Sequence, residues 1–177
     1  MNYTHPYPSP LGNITLASNG EQLTGLWFDG QKYFGSTLTH ESTQKNLPIF
    51  DQAGHWLDIY FSGISPDFTP PLSLKATPFC KTVWSILRTV PYGQTITYGE
   101  VSRQIARQKG IPAMSPQAVG NAVARNPISL VIPCHRVIGS NGSLTGYAGG
   151  IDKKVKLLSL EKADMANFFI PTKGTAL

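Results

Sequence analysis

The run Ser65-Pro66-Asp67-Phe68-Thr69-Pro70-Pro71 constrains this chain more than any other stretch. Its prolines remove backbone donors and fix φ, so neither a helix nor a central strand continues through it. The charge balance of the chain also switches there. We therefore read an α+β protein with an N-terminal α/β domain over residues 1–74 and a mostly helical domain over 75–165. Residues 166–177 form a tail without clear pattern.

Before the break, residues 13–18 alternate apolar and polar, Asn19-Gly20 reads as a two-residue turn, and residues 22–28 alternate again. Ile49, Phe50, Ala53, Trp56, Leu57, Tyr60 and Phe61 then trace one helical face. After the break, Thr77-Pro78 gives a cap followed by proline at the first helical position, which predicts a helix to about residue 88. Pro91-Tyr92-Gly93 is a turn. Thr97 and Glu100 fit a capping box that opens a helix to about residue 107. Ser115-Pro116 opens the next helix, which ends before Asn126-Pro127. Two short helices joined by a loop permit a helix-turn-helix. The apolar run Ser129-Leu130-Val131-Ile132 reads as a buried strand leading into Pro133-Cys134-His135-Arg136, with Val137-Ile138 as a second apolar pair. A turn at residues 139–142, a glycine-rich loop at 146–150 and a last amphipathic helix from about 152 to about 163 complete the reading.

Charge is segregated in the same way. Residues 1–75 carry three basic and six acidic side chains, whereas residues 76–177 carry twelve basic and four acidic. That asymmetry points to an anionic partner for the second half, with nucleic acid first among candidates and a merely solvated basic surface as the alternative. No apolar stretch approaches the roughly 20 residues of a membrane span, and Met-Asn-Tyr-Thr-His-Pro lacks the pattern of a secretory signal. A cytoplasmic location and no membrane partner are expected. The two cysteines, Cys80 and Cys134, are too few and isolated for a disulfide framework. No Cys-x-x-Cys or paired-histidine spacing exists and the four histidines are scattered, so neither a metal nor another cofactor is expected.

Cysteine is a strong soft nucleophile only as thiolate, and at an unperturbed pKa of about 8.5 just a few per cent is ionised at neutral pH. His135 and Arg136 follow Cys134 directly and are suitable stabilisers of the anion. Neighbours on an extended strand face opposite ways, so direct contact between His135 and Cys134 needs a turn or an intervening water. A buried cysteine beside an apolar strand is also commonly structural, and Cys80 is read that way.

Asn126-Pro127-Ile-Ser-Leu-Val-Ile-Pro133-Cys134-His135-Arg136-Val137-Ile138-Gly139, followed by Gly146-Tyr147-Ala148-Gly149-Gly150, closely resembles the O6-alkylguanine-DNA alkyltransferases. The resemblance covers about residues 77–163, and the N-terminal part matches in length and pattern. It implies a ribonuclease H-like first domain and a winged-helix-like second domain with a helix-turn-helix. It further implies single-turnover repair of duplex DNA containing O6-alkylguanine, with O4-alkylthymine as an alternative lesion, by a monomer working from the minor groove.

By the same resemblance, Cys134 is the alkyl acceptor and His135 the base that takes its proton through a water. Glu161 orients the histidine, Asn126 braces the turn, and Tyr98 faces guanine N3. The carbonyls of Cys134 and Val137 accept from the guanine amino group, backbone near Ala148 donates to O6, and Tyr147 and Gly149 wall the pocket. Ser115, Ala118 and Gly120 offer small side chains to the groove. Gln117 stands where the family commonly has an arginine finger. Arg125, Arg136, Ser140 and Lys109 are candidate DNA contacts. Competing readings are a lesion-binding relative without chemistry, a Cys-His hydrolase and a helix-turn-helix transcription regulator.

Overall fold

The structure, a computed structural model, describes residues 2–39 and 41–172. The chain forms two compact units: Met1–Lys75 with Pro127–Val131, and Ala76–Asn126 with Ile132–Leu177. A linear reading of the sequence has no means to assign five residues from the middle of the second half to the first unit.

In the first unit, strands β1 (Asn2–Ser9), β2 (Gly12–Ser18), β3 (Leu23–Phe28) and β4 (Ser42–Gln44) form a sheet in the order β3-β2-β1-β4. β1 pairs antiparallel with β2 and parallel with β4, and β2 pairs antiparallel with β3. The helix α1 (Pro48–Phe61) buries Ile49, Phe50, Ala53, Trp56, Leu57 and Tyr60, the stripe that its spacing predicts. Trp56 Nε1 donates to the Phe68 carbonyl at 2.9 Å, which pins the proline-rich run.

Two expectations for this unit are corrected. The β2–β3 connection is not a two-residue turn, because Ser18 pairs with Leu23 after a register shift. Instead Asn19 Oδ1 accepts from the amides of Glu21 and Gln22 at 3.1 and 2.9 Å, and Gly20 takes a φ of +116°. The asparagine side chain builds its own wider turn. Nor does β3 alternate in burial: all six of its residues are buried. Its outer edge is covered by chain from two places. Leu23 exchanges hydrogen bonds with Pro71 and Ser73, and Leu26 with Pro127 and Ser129, all at 2.8–2.9 Å.

In the second unit, α2 (Pro78–Leu87), α3 (Tyr98–Lys109) and α4 (Pro116–Ala124) pack together around Val83, Leu87, Val101, Ile105, Val119 and Val123. Each start is capped as read: Thr77 accepts from Cys80 N, Thr97 and Glu100 complete a capping box, and Ser115 accepts from Ala118 N. Gly110, at φ +62°, ends α3 in the left-handed cap that its missing Cβ permits. Trp84 Nε1 donates to the Ala122 carbonyl at 2.9 Å and ties α2 to α4. Short strands β5 (Ile96–Thr97) and β6 (Val137–Ile138) pair in parallel, and α5 (Ile151–Leu160) follows the loop after β6.

The expected strand over residues 129–132 is a turn. Leu130 has a φ of +70°, and Val131 N donates to Ser129 O at 2.9 Å. A short apolar run reports burial but not backbone conformation. α5 also ends at Leu160 rather than near 163, because Lys162 adopts a φ of +57°. Beyond it, Leu144 N donates to Phe169 O at 2.9 Å and Phe169 N to Gly142 O at 3.2 Å. Met165 and Phe168 pack onto a small cluster of Ile138, Leu144, Leu158 and Ala163. Ordered structure therefore extends into the segment that shows no pattern in sequence.

Candidate active site

Cys134 begins a 3-10 turn, Cys134–Arg136, closed by Val137 N donating to Cys134 O. An extended strand would instead have pointed Cys134 and His135 to opposite faces. Asn126, just past the end of α4, holds the turn in place. Its Nδ2 donates to Ile132 O at 2.7 Å and to the Cys134 sulfur at 3.2 Å. The backbone amides of Cys134 and His135 also favour charge on the sulfur.

Burial pushes the Cys134 thiol up; the Asn126 hydrogen bond, the Lys154 charge and the two amides pull it back without cancelling that effect. The resting group is thus a neutral thiol poised among donors that favour its anion.

A buried charge cluster lies beyond the sulfur. His135 Nε2 lies 2.7 Å from Glu161 Oε1. Arg136 donates through Nε to Glu161 Oε2 at 2.8 Å and through Nη2 to Oε1 at 2.9 Å, while its Nη1 donates to the Val90 carbonyl at 2.7 Å. Gly93 N adds a bond to Glu161 Oε2 at 3.1 Å. Gly93 has a φ of +76°, and a Cβ there would sit 2.7 Å from the Glu161 carbonyl oxygen, so glycine is required on both counts.

Burial raises the Glu161 carboxyl, but the hydrogen bonds and charges of His135 and Arg136 outweigh it and hold the group well below the usual carboxylate range. Burial lowers His135 more than Glu161 raises it, with Arg136 and Lys154 adding to the lowering. The imidazole is therefore neutral at pH 7. With Nε2–H given to Glu161, Nδ1 carries the basic lone pair.

Tyr98, the first residue of α3, is brought beside this turn by the β5–β6 pairing. Its hydroxyl makes long bonds to the carbonyls of Thr145 and Gly146, at 3.4 and 3.5 Å. Burial and then the Cys134 charge push it up to about 12, against a lowering by Thr145. It stays a proton donor at neutral pH. The Tyr147 ring lies edge-on to His135, 6.3 Å between centroids. A Cβ at Gly149 would come 2.6 Å from that ring, so the loop glycine makes room for the tyrosine.

Residues 78–163 match the family model described as "6-O-methylguanine DNA methyltransferase, DNA binding domain" and residues 2–74 the one described as its "ribonuclease-like domain". The methylated-DNA–protein-cysteine methyltransferase of Haemophilus influenzae is 39% identical over 161 residues, 90% of this chain and 86% of that protein. The chain belongs to the methylated-DNA–protein-cysteine methyltransferase family. The Mycobacterium tuberculosis member is 44% identical over 155 residues, 88% of this chain and 89% of that one. A crystal structure of that protein in complex with DNA superposes with a TM-score of 0.78 at 40% identity, covering 93% of this chain and 98% of the other.

For this methyltransferase, the structure brings Cys134, His135, Glu161, Asn126 and Tyr98 into one cluster with the loop of Tyr147, Ala148 and Gly149. Ser115, Gln117, Arg125 and Ser140 are exposed, and Ala118 and Gly120 are half-buried. Gly120 also faces the Tyr98 ring, which a Cβ would meet at 3.7 Å. Lys109 sits over the Phe79 ring at 5.4 Å.

Arg136 is a correction. Expected at the DNA and beside the thiolate, it turns inward, its side chain 11% exposed and its donors committed to Glu161 and Val90. A second buried cation, Lys154, was missed by sequence reasoning; its Nζ donates to the carbonyls of Val137 and Thr145 at 2.5 and 2.7 Å. Its signal was present: Lys154 lies three residues after Ile151 and four before Leu158, a lysine in the apolar stripe of α5. Among the described residues no group of His, Cys, Asp and Glu is arranged to hold a metal ion, and no helix is long and apolar enough to cross a membrane.

Proposed function

We propose that this chain repairs double-stranded DNA by moving the alkyl group of O6-alkylguanine irreversibly onto Cys134, once per molecule. The observation that carries the reading is a cysteine held by Asn126 at 3.2 Å beside a neutral histidine locked to a buried carboxylate at 2.7 Å.

The thiol proton passes through a water to His135 Nδ1, and the imidazolium formed is stabilised by Glu161. The thiolate then attacks the alkyl carbon. A carbon–sulfur bond forms, the carbon–O6 bond breaks, and its electron pair stays on the departing guanine. Tyr98 exchanges its weak loop contacts for a hydrogen bond to guanine N3, where charge develops. The carbonyls of Cys134 and Val137 receive the guanine amino group, and backbone near Ala148 addresses O6. The thioether product is not a leaving group, so the protein stops after one event.

The lesion is stacked in duplex DNA, so the nucleotide is rotated out at a cost of a few kcal/mol. We assign this to α3 and α4 acting as a helix-turn-helix from the minor groove, with Ser115, Gln117, Ala118 and Gly120 toward the DNA and Arg125 and Ser140 at its backbone. A monomer suffices, and the cytoplasm is the expected compartment.

Intact-mass spectrometry after incubation with duplex containing O6-methylguanine tests the reading. A gain of one methyl, mapped to Cys134 and absent in Cys134→Ala, is expected. Unchanged mass with the lesion intact, or product beyond one equivalent of protein, refutes it.

A further inference from the structure

We propose that residues 165–169 form a strap that positions the pocket loop and thereby limits the site to compact alkyl groups. The inference rests on the reading of Cys134 as the alkyl acceptor and adds which substituents that acceptor takes.

The strap lies in a stretch without sequence pattern, yet it is bound through both backbone and side chains. Phe169 pairs in parallel with Ser143. Leu144 N donates to the Phe169 carbonyl at 2.9 Å, and Phe169 N to the Gly142 carbonyl at 3.2 Å. The turn it meets is closed by Gly142 N donating to Gly139 O at 3.0 Å and Gly139 N to Ser143 O at 2.8 Å. Gly142 has a φ of +85°, and a Cβ there would run into the Asn167 carbonyl. Glycine at 142 thus admits the strap at close range. Met165 and Phe168 add their side chains to the cluster of Ile138, Leu144, Leu158 and Ala163.

Leu144 is the joint between strap and site. Its amide is bonded to the strap, its side chain is 2% exposed within the cluster, and the pocket loop starts at the next residue. Thr145 O receives the Tyr98 hydroxyl at 3.4 Å, and the Tyr147 ring stands edge-on to His135. Ile138, also in the cluster, pairs with Thr97, the residue before Tyr98. Both tyrosines of the site therefore follow directly on chain that the strap braces.

A wall held in this way resists displacement. Cys134 is 4% exposed and Tyr147 7%, so the sulfur sits in close-packed surroundings, where even one added methylene is felt. A methyl group asks little room beside the sulfur. A benzyl group has to push Tyr147 and its loop outward, against the strap. The strap itself touches no alkyl group; it acts through Leu144 on the wall that does.

Two measurements on the full chain test this. The first compares rate constants for alkyl transfer from duplexes containing O6-methylguanine and O6-benzylguanine, scored by protein mass. Phe169→Pro removes the N–H given to Gly142. It is expected to raise the benzyl-to-methyl rate ratio about tenfold, the scale on which an apolar pocket discriminates one methylene. Phe169→Ala keeps the backbone bonds and trims a side chain that is already 46% exposed, so it should match the parent. Phe168→Ala removes packing but no backbone donor; it should shift the ratio in the same direction as Phe169→Pro, and it decides the question if that variant does not fold. A merely structural role would lower both rates together. An unmoved ratio in the folded strap variants, or an equal shift in Phe169→Ala, overturns the proposal.

The second measurement needs no DNA: amide hydrogen exchange read by mass spectrometry. Residues 143–150 are expected to exchange faster in Phe169→Pro, with α3 unchanged. Parent-like protection of that loop overturns the proposal. A parent protein that transfers no methyl at all would instead count against the repair reading, whatever the exchange shows.

Discussion

The two units of this protein solve opposite problems. The first buries apolar side chains: Ile14, Leu16, Leu23, Leu26, Trp27 and Leu57 are at 0% exposure, while side-chain hydrogen bonds such as those of Thr15, Ser18 and Asn19 lie at its turns and surface. The second encloses Asn126, Cys134, His135, Arg136, Lys154 and Glu161, groups that each cost free energy to remove from water. The sheet unit converts burial into stability. The cysteine unit commits part of its stability to holding charge where chemistry needs it. The lesson is that equal burial has different meanings in the two, so mutations at equally buried positions should separate stability from reactivity.

Glu161→Ala should be the most damaging change, because it leaves Arg136 buried without its partner. About 3–5 kcal/mol of stability should be lost in denaturant unfolding, with methyl transfer abolished. Retention of both would erase the contrast between the units.

Leu16→Ala in the sheet should cost about 2–5 kcal/mol, yet leave the rate of methyl transfer per folded molecule unchanged. Stopped reactions scored by protein mass would detect a rate loss that contradicts this.

Asn126→Ala should reverse that profile. The stability loss, about 0.5–1.5 kcal/mol, comes from the Ile132 carbonyl losing one of its two donors, since Cys134 N still reaches it at 2.8 Å. The pH profile of Cys134 alkylation by iodoacetamide should move to higher pH, because a bond that favours the anion is gone.

A weaker effect should appear with acid. His135 is lowered in the folded protein, so stability should decline as pH falls below the ordinary histidine value of about 6.5, where the unfolded chain takes up the proton first. Glu161 is also lowered, and its contribution should fade once pH falls below the ordinary carboxylate value of about 4.3. Thermal unfolding against pH should show both declines, and Glu161→Gln should remove the lower one.

Gln117→Arg should leave stability nearly untouched. It should tighten DNA binding and steepen the slope of log affinity against log salt by about 0.9, the value of one added phosphate contact. An unchanged slope would mean that position 117 does not face the phosphates.

Much of the second unit is legible in its sequence. Thr77, Thr97 with Glu100, and Ser115 announce their helices because a cap is made by a side chain and amides within three residues. The acceptor string around Cys134 is equally legible, as are Asn126 and Glu161 by resemblance. Harder to read are places where an apolar run or a charged side chain has to choose between conformations. Residues 129–132 announce burial but not a turn, and Asn19-Gly20 announces a turn but not its width.

Sequence by itself determined the helix starts, their caps, the division of charge and the candidate nucleophile, since each is written in residues a few positions apart. Tertiary structure alone decided which charges go inside. Arg136 turns to Glu161, 25 residues away, and to Val90, 46 away; Lys154 reaches Val137, 17 away. A charged side chain enters a core only when distant partners arrive to replace its water, and no local pattern records their arrival.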